Sequence, residues 1–312
     1  MDKRWDIYVY GDVNIDVVVP GVSRLPPPGV EEDVGMMETF VGGGAALFTL
    51  GAARLGFRPV FQGSVGADMY GAYIRNVFRE TGVDDALLRD DPIVRTGISI
   101  SFTNEKDRCF LTYRGTNAAL SLQNMDFSQL RRARHVHITG YEGARNHAEY
   151  LEVLRKIHAM GDVTVSFDVG WDMTGSWDEG IFELAPMIDV LFMNETECLH
   201  YTRCADVDAG IARLAEAGHW VAIKLGKRGA MAARGPERYF APGYRVKAVD
   251  TTGAGDSFNA GFVCGYLEGL PMEECLRYGN GCGALSVTAL GGNTAFPSRA
   301  ALEEFISGGN AE

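Results

Sequence analysis

The chain lacks what several common architectures require. No apolar run approaches the roughly 18 residues that a membrane-spanning helix needs. The six cysteines, Cys109, Cys198, Cys204, Cys264, Cys275 and Cys282, form no C-x-x-C pair and no Cys/His group at zinc-ligand spacing. They read as reduced thiols in or near a core, which argues against disulfide staples and a structural zinc. Positive charge is also short: 29 basic against 41 acidic side chains give a formal net charge of −12. Such a surface disfavours nucleic acid as a partner. It leaves room for a phosphate site, because backbone amides bind phosphate without net positive charge. Met1–Asp6 is charged and runs straight into a strand, unlike a signal or transit peptide. No membrane partner and a cytoplasmic location are therefore expected. Internal repeats and low-complexity tracts are absent.

What is present suits one large α/β domain over residues 1–312, with 46% hydrophobic and 22% charged residues. Strand-like runs at Ile7–Tyr10, Val60–Gly63, Val136–Thr139, Val163–Asp168, Val190–Met193 and Val221–Leu225 alternate with helix-like segments. Those helices fall at Ala45–Leu55, Tyr70–Thr81, Asn146–Met160 and Asp208–Ala217. This alternation predicts right-handed βαβ units and a mostly parallel sheet covered on both faces. Two stretches break the rhythm. Residues 17–40 carry Pro26-Pro27-Pro28-Gly29, and residues 96–113 alternate through Ile98, Ile100 and Phe102 before an expected turn at Asn104–Asp107. Together they predict a small antiparallel lid, a device that excludes water from a reaction site.

The segment richest in chemistry is Asp250-Thr251-Thr252-Gly253-Ala254-Gly255-Asp256-Ser257-Phe258-Asn259-Ala260-Gly261-Phe262. A strand-like run, Tyr244–Val249, precedes it and a helix-like run, Ser257–Leu267, follows. Gly253 and Gly255 remove side chains where backbone must approach a ligand. Their amides would point at an anion near the positive end of the helix dipole. A carboxylate at that helix start, Asp256, can accept a proton from an attacking hydroxyl. The shorter pattern G-x-G-D alone would mean only a capped helix after a glycine turn.

Over thirteen consecutive positions this segment resembles the C-terminal signature of the ribokinase-like, or PfkB, carbohydrate kinases. The resemblance implies Asp256 as catalytic base and Gly253, Ala254 and Gly255 as the anion hole. Further matches follow along the chain. Asn194-Glu195-Thr196-Glu197 is similar to the family's N-x-x-E motif, which implies that Asn194 and Glu197 organise Mg²⁺ and the phosphates, with Glu197 acting through water. Lys224-Leu225-Gly226-Lys227-Arg228-Gly229 resembles the strand and glycine turn beside the nucleotide, so Lys224, Gly226 and Gly229 are candidate ATP contacts. Asn280 matches the helix bordering the adenine pocket. Gly11–Asp16 resembles the first strand-loop, implying that Asn14 and Asp16 hold substrate hydroxyls. Val41-Gly42-Gly43-Gly44 matches the di-glycine signature, placing Gly42 and Gly43 against substrate. Asp250 and Thr252 match a monovalent-cation site, which would take K⁺.

The resemblance spans about Ile7 to Phe296. It implies a three-layer α/β/α ribokinase-like body with a small β-sheet lid, ATP and Mg²⁺ as cofactors, a sugar or sugar-like substrate, and a homodimer through the lid. One departure stands out. Where relatives place a substrate-touching asparagine, this chain has Leu47, followed by Phe48. Arg114 and Glu142 are candidates to supply the missing contact. Leu47 and Phe48 also admit a nucleoside as the substrate. No basic cluster is evident in the N-terminal substrate region, which disfavours a sugar phosphate. A non-catalytic sugar- or nucleotide-binding protein is the other alternative, and Asp256 with its glycines weighs against it.

Overall fold

The structure is a computed structural model and describes residues 3–22, 25–103 and 108–308. Along the chain run β1 (Trp5–Tyr10), β2 (Asn14–Pro20), β3 (Glu38–Gly42), α1 (Gly44–Arg54), β4 (Pro59–Gly66), α2 (Met69–Thr81), β5 (Asp84–Asp91), β6 (Gly97–Thr103) and β7 (Arg108–Tyr113). There follow α3 (Phe127–Leu130), β8 (Ala133–Thr139), α4 (His147–His158), β9 (Thr164–Asp168), α5 (Ile181–Leu184), β10 (Val190–Asn194), α6 (Glu195–Thr202) and α7 (Val207–Ala215). The last elements are β11 (Trp220–Lys224), β12 (Ala230–Arg234), β13 (Glu237–Ala241), α8 (Ala254–Leu267), α9 (Met272–Ser286) and α10 (Arg299–Ser307).

Nine strands form one sheet in the order β13-β12-β11-β10-β9-β8-β1-β4-β5, and its pairs are parallel from β11 through β5. Such strands bury both faces, so they read as near-continuous apolar runs. In β1, Ile7 and Val9 enter a core with α1, α2, α8, α9 and α10. Tyr8 and Tyr10 enter a second core with α3–α7. The body is thus three layers, α/β/α. From β1 the chain builds outward to β4 and β5, then crosses back to β8 on the other side. Ligands in open α/β sheets bind at the strands' carboxyl ends beside such a reversal.

The second sheet, β3-β2-β6-β7, is the lid. Its outer pairs are antiparallel, but the central β2–β6 pair is parallel, which corrects the expected wholly antiparallel flap. The physical reason is connectivity: β2 and β6 come from two separate excursions, so no hairpin turn joins them. Ile15, Val17 and Val19 of β2 belong to the same core as α1, which fastens the lid to the body. The turn expected at Asn104–Asp107 lies outside the described residues.

The strand expected at Tyr244–Val249 is not formed. The sheet ends instead in the β12–β13 hairpin, and Pro242-Gly243 turns the chain away from it, leaving one isolated bridge at Tyr244. Proline has no N–H to continue a ladder. Among the described residues no helix is long and apolar enough to cross a membrane.

Candidate active site

A cleft of about 700 Å³ opens at the carboxyl ends of β1, β8, β9, β10 and β11. The lid contributes Asn14 and Thr112–Arg114, and the body contributes Asp12, Gly44, Glu142, Arg145, Asp168, Asn194, Glu197, Lys224, Gly255 and Asp256.

Helix α8 supplies the deepest part. It starts one turn earlier than its apolar pattern suggests, because Gly253 adopts φ 73° and delivers the chain into the helix. A Cβ there would lie 2.7 Å from the Gly292 carbonyl oxygen and 3.0 Å from a methyl of Leu47. No side chain caps this end, and the Ala254 N–H makes only a long 3.4 Å bond to the Thr251 oxygen. The first turn points its positive dipole end towards the cleft, which Gly255 and Asp256 line and the predicted Gly253 and Ala254 do not. Asp256 sits in that turn. Burial and the negative charge of Asp168 push its carboxyl well above the usual carboxylate range, against the opposing pull of Lys224.

Behind Asp256 lies a buried ionic cluster. Lys224 Nζ donates to Asp168 Oδ2 at 2.6 Å and to Asn259 Oδ1 at 3.4 Å. Asn259 donates to the same Asp168 oxygen, and the Gly170 amide donates to the other at 2.9 Å. Burial alone would raise the Asp168 carboxyl, but the Lys224 charge and these hydrogen bonds outweigh it and hold it low. Burial likewise opposes the charge on Lys224, and Asp168, joined by Glu197 and Asp256, more than restores it. Asn194 and Glu197 form a reciprocal cap at the start of α6: Glu197 N donates to Asn194 Oδ1 at 2.9 Å, and Asn194 N donates to Glu197 Oε2 at 2.7 Å. Burial and repulsion from Asp168 raise the Glu197 carboxyl to about 7.

At the lid side, Asp12 accepts from the Gly44 and Ala45 amides at 3.0 and 3.1 Å, capping α1 from the preceding loop. Asn14 donates to Asp16 Oδ1 at 2.7 Å. Burial raises the Asp16 carboxyl to about 6. A Cβ at Gly42 would stand 2.3 Å from that carboxylate, so only glycine admits Asp16 there. At the rim, Arg114 and Arg145 flank Glu142 at 3.9 and 3.7 Å, with their side chains 61% and 68% exposed.

Of the sequence-predicted residues, Asn14, Arg114, Glu142, Asn194, Glu197, Lys224, Gly255 and Asp256 line the cleft. Asp16 and Gly42 stand just behind Asn14, and Gly43 turns the chain into α1 with φ 96°. Gly226 and Gly229 shape the turn after β11, and the Asn280 amide donates to the Ala241 and Pro242 carbonyls at 2.9 and 3.1 Å. Asp250 accepts from Thr252 N, Thr252 Oγ1 and Gly291 N, ordering the loop before α8. Leu47 is 3% exposed and packs under Gly253 and Gly292, and Phe48 is fully buried against the His137 ring. Neither lines the cleft, so neither makes the apolar substrate contact expected of it. Sequence reasoning missed Asp12, Arg145, Asp168 and Asn259. Asp12 and Asn259 lay inside motifs already quoted, and Asp168 ended a strand already assigned.

A sequence model of the pfkB family carbohydrate kinases matches residues 5–299. The chain is 34% identical over 276 residues to 2-dehydro-3-deoxygluconokinase of Bacillus subtilis, covering 82% of this chain and 83% of that one. It is 33% identical over 304 residues to the ATP-dependent ribose-1-phosphate kinase of Halopiger xanaduensis, covering 95% and 96%. Among solved structures, Arabidopsis thaliana ribokinase complexed with ribose and ATP superposes with a TM-score of 0.83 at 26% identity, covering 98% of this chain and 99% of that one.

Proposed function

Since the chain belongs to the pfkB family of carbohydrate kinases, we propose that it transfers the γ-phosphoryl group of ATP to a hydroxyl of a sugar that carries an anionic group. Asp256 carries this assignment, as a carboxylate of raised proton affinity in the uncapped first turn of α8, inside the cleft. The substrate hydroxyl attacks the γ-phosphorus in line and gives its proton to Asp256. The bond between that phosphorus and the ADP oxygen breaks, and ADP leaves. The amides of Gly253, Ala254 and Gly255 stabilise charge on the transferring group. Bound Mg²⁺ supplies further neutralisation of the phosphates. Glu197 would hold it through water, which suits a cation that keeps several waters and few protein ligands. Gly226, Gly229 and Asn280 are assigned to the adenine end, and Asp250 and Thr252 to a K⁺ site, tested by comparing rates in KCl and NaCl.

The anionic group is assigned to Arg114 and Arg145, which come from outside the N-terminal region that lacks a basic cluster, line the cleft, and share Glu142 at 3.9 and 3.7 Å as their ion-pair partner among the described residues. The two relatives quoted above are named for a sugar acid and a sugar phosphate as substrates. Asn14 and Asp16 take the hydroxyls. ADP release measured with Mg·ATP over neutral sugars, sugar acids, sugar phosphates and nucleosides tests the whole assignment. Turnover restricted to neutral sugars overturns the anion, and no turnover with any of them overturns the kinase.

A further inference from the structure

The Asp168–Lys224–Asn259 cluster is larger than a nucleotide contact needs. Lys224 closes β11, Asp168 closes β9, and Asn259 lies on α8 one turn after Asp256. Asn259 is fully buried, and Asp168 is 7% exposed. A Cβ at Gly255 would stand 3.3 Å from Lys224 Nζ, so the ammonium rests against the amide-presenting turn of α8. We propose that Asp168 and Asn259 are positioning residues that fix the Lys224 ammonium as a permanent cation for the γ-phosphoryl group. This rests on the phosphoryl-transfer assignment above.

The geometry favours this over a purely structural tie. A tie between α8 and the sheet is complete with Asn259 and Asp168 alone. The third member is a flexible lysine whose side chain is held at two points, in a cleft wall, beside an anion-binding helix end. A lysine is otherwise a mobile point charge. Two acceptors from different elements remove that freedom before nucleotide arrives, which is how preorganised charge stabilises a transition state without reorganisation. The cluster also faces the base. Asp168, Lys224, Asp12 and Glu197 all act on Asp256, the lysine alone in the stabilising direction for its charged form.

The test uses Asp168→Asn, Lys224→Met and the double variant. Asp168→Asn keeps the shape and one hydrogen bond, and the double variant removes both buried charges, so it avoids leaving one unpaired. Calorimetry measures affinity for Mg·ATP and Mg·ADP, and steady-state kinetics measures kcat and KM across pH. Wild-type protein that binds neither nucleotide overturns the kinase assignment itself. Given binding, each single variant should lose about tenfold in preference for ATP over ADP, the scale of one charge-assisted contact. The double variant should lose no more than either single, because Asp168 acts through Lys224. The acid limb of kcat in Asp168→Asn should move to lower pH, since one repelling charge on Asp256 is gone. Additive losses, or lowered Tm with ATP-over-ADP preference and pH profile unchanged, overturn the proposal.

Discussion

Asp256→Asn separates two effects that most substitutions confound. Asparagine preserves the side chain's shape in the first turn of α8 and removes its capacity to take a proton. A general base contributes about 10²–10⁴ in rate, or about 2.7–5.5 kcal/mol of barrier, so kcat should fall by that factor. Affinity for Mg·ATP should hold or improve, because the variant deletes a carboxylate beside the phosphates. Stability should move the opposite way to activity. Burial and Asp168 raise the Asp256 carboxyl above its unfolded value. A raised acid binds protons more tightly in the folded state, so ionising it costs stability as pH climbs above the unfolded carboxylate range. The variant escapes that cost. Its Tm should match wild type near pH 4 and exceed it increasingly towards pH 8. ADP release on the true substrate and a Tm series over that range check both halves. Near-normal kcat in the variant refutes Asp256 as base. A Tm that drops at pH 8 refutes the electrostatic account of the site.

Asp16→Ala should raise KM for the sugar roughly 10–150-fold, the value of one charge-assisted hydrogen bond, and leave KM for ATP unchanged; in the wild type the sugar KM should fall as pH rises through about 6, where Asp16 ionises. Equal losses for both ligands point to misfolding. Arg114→Met with Arg145→Met should weaken an anionic sugar at least tenfold and spare its neutral counterpart, read as kcat/KM for the pair. Leu47→Asn buries an amide among apolar neighbours at about 1–3 kcal/mol, so Tm should drop while the rank order of sugars stays fixed. A reordered panel would place Leu47 at the substrate.

The body of the fold was legible because its strands are buried on both faces and announce themselves as apolar runs such as Ile7–Tyr10 and Val190–Met193. β5 escaped notice because it is an edge strand of sequence DDALLRDD in which only Leu88 is buried. β12 and β13 escaped because they are short antiparallel strands set off by Gly229, Gly235 and Pro242-Gly243, with no crossover helix. At the site, the glycine-rich segments stood out because close approach to backbone demands glycine, as at Gly42 against the Asp16 carboxylate. Asp168 could not, because its importance lies in which strand end stands beside it. β9 and β11 are separated in the sheet by β10, and only the long side chain of Lys224 spans that gap. Leu47 misled for a related reason. A position next to a glycine turn faces either ligand or core, and one turn of α1 decides which.

The three glycines at 42–44 show how tightly the carboxylates are gathered, and Gly44 offers the finest measurement of it. Gly42 faces the Asp16 carboxylate, Gly43 faces the Asp12 backbone oxygen at 2.7 Å, and Gly44 faces Asp256 Oδ1 at 3.2 Å, each measured from where a Cβ would stand. One short turn thus brings lid, first loop and helix α8 together. Unlike Gly43, Gly44 has no positive φ, and it opens α1, where alanine is the better helix former by about 0.8–1.0 kcal/mol. Gly44→Ala should therefore hold or raise Tm. Its methyl, however, reaches Asp256 at less than ordinary van der Waals separation, so the carboxylate must move by a few tenths of an ångström. Positioned acid–base groups tolerate little displacement, and a shift approaching 1 Å costs about 10² in rate. A smaller but clear fall in kcat is expected, with KM for ATP unchanged. If Gly44→Ala folds with a higher Tm and keeps full kcat, Asp256 is not held against α1 during turnover, and the packing of its carboxylate against Gly44 has no catalytic role.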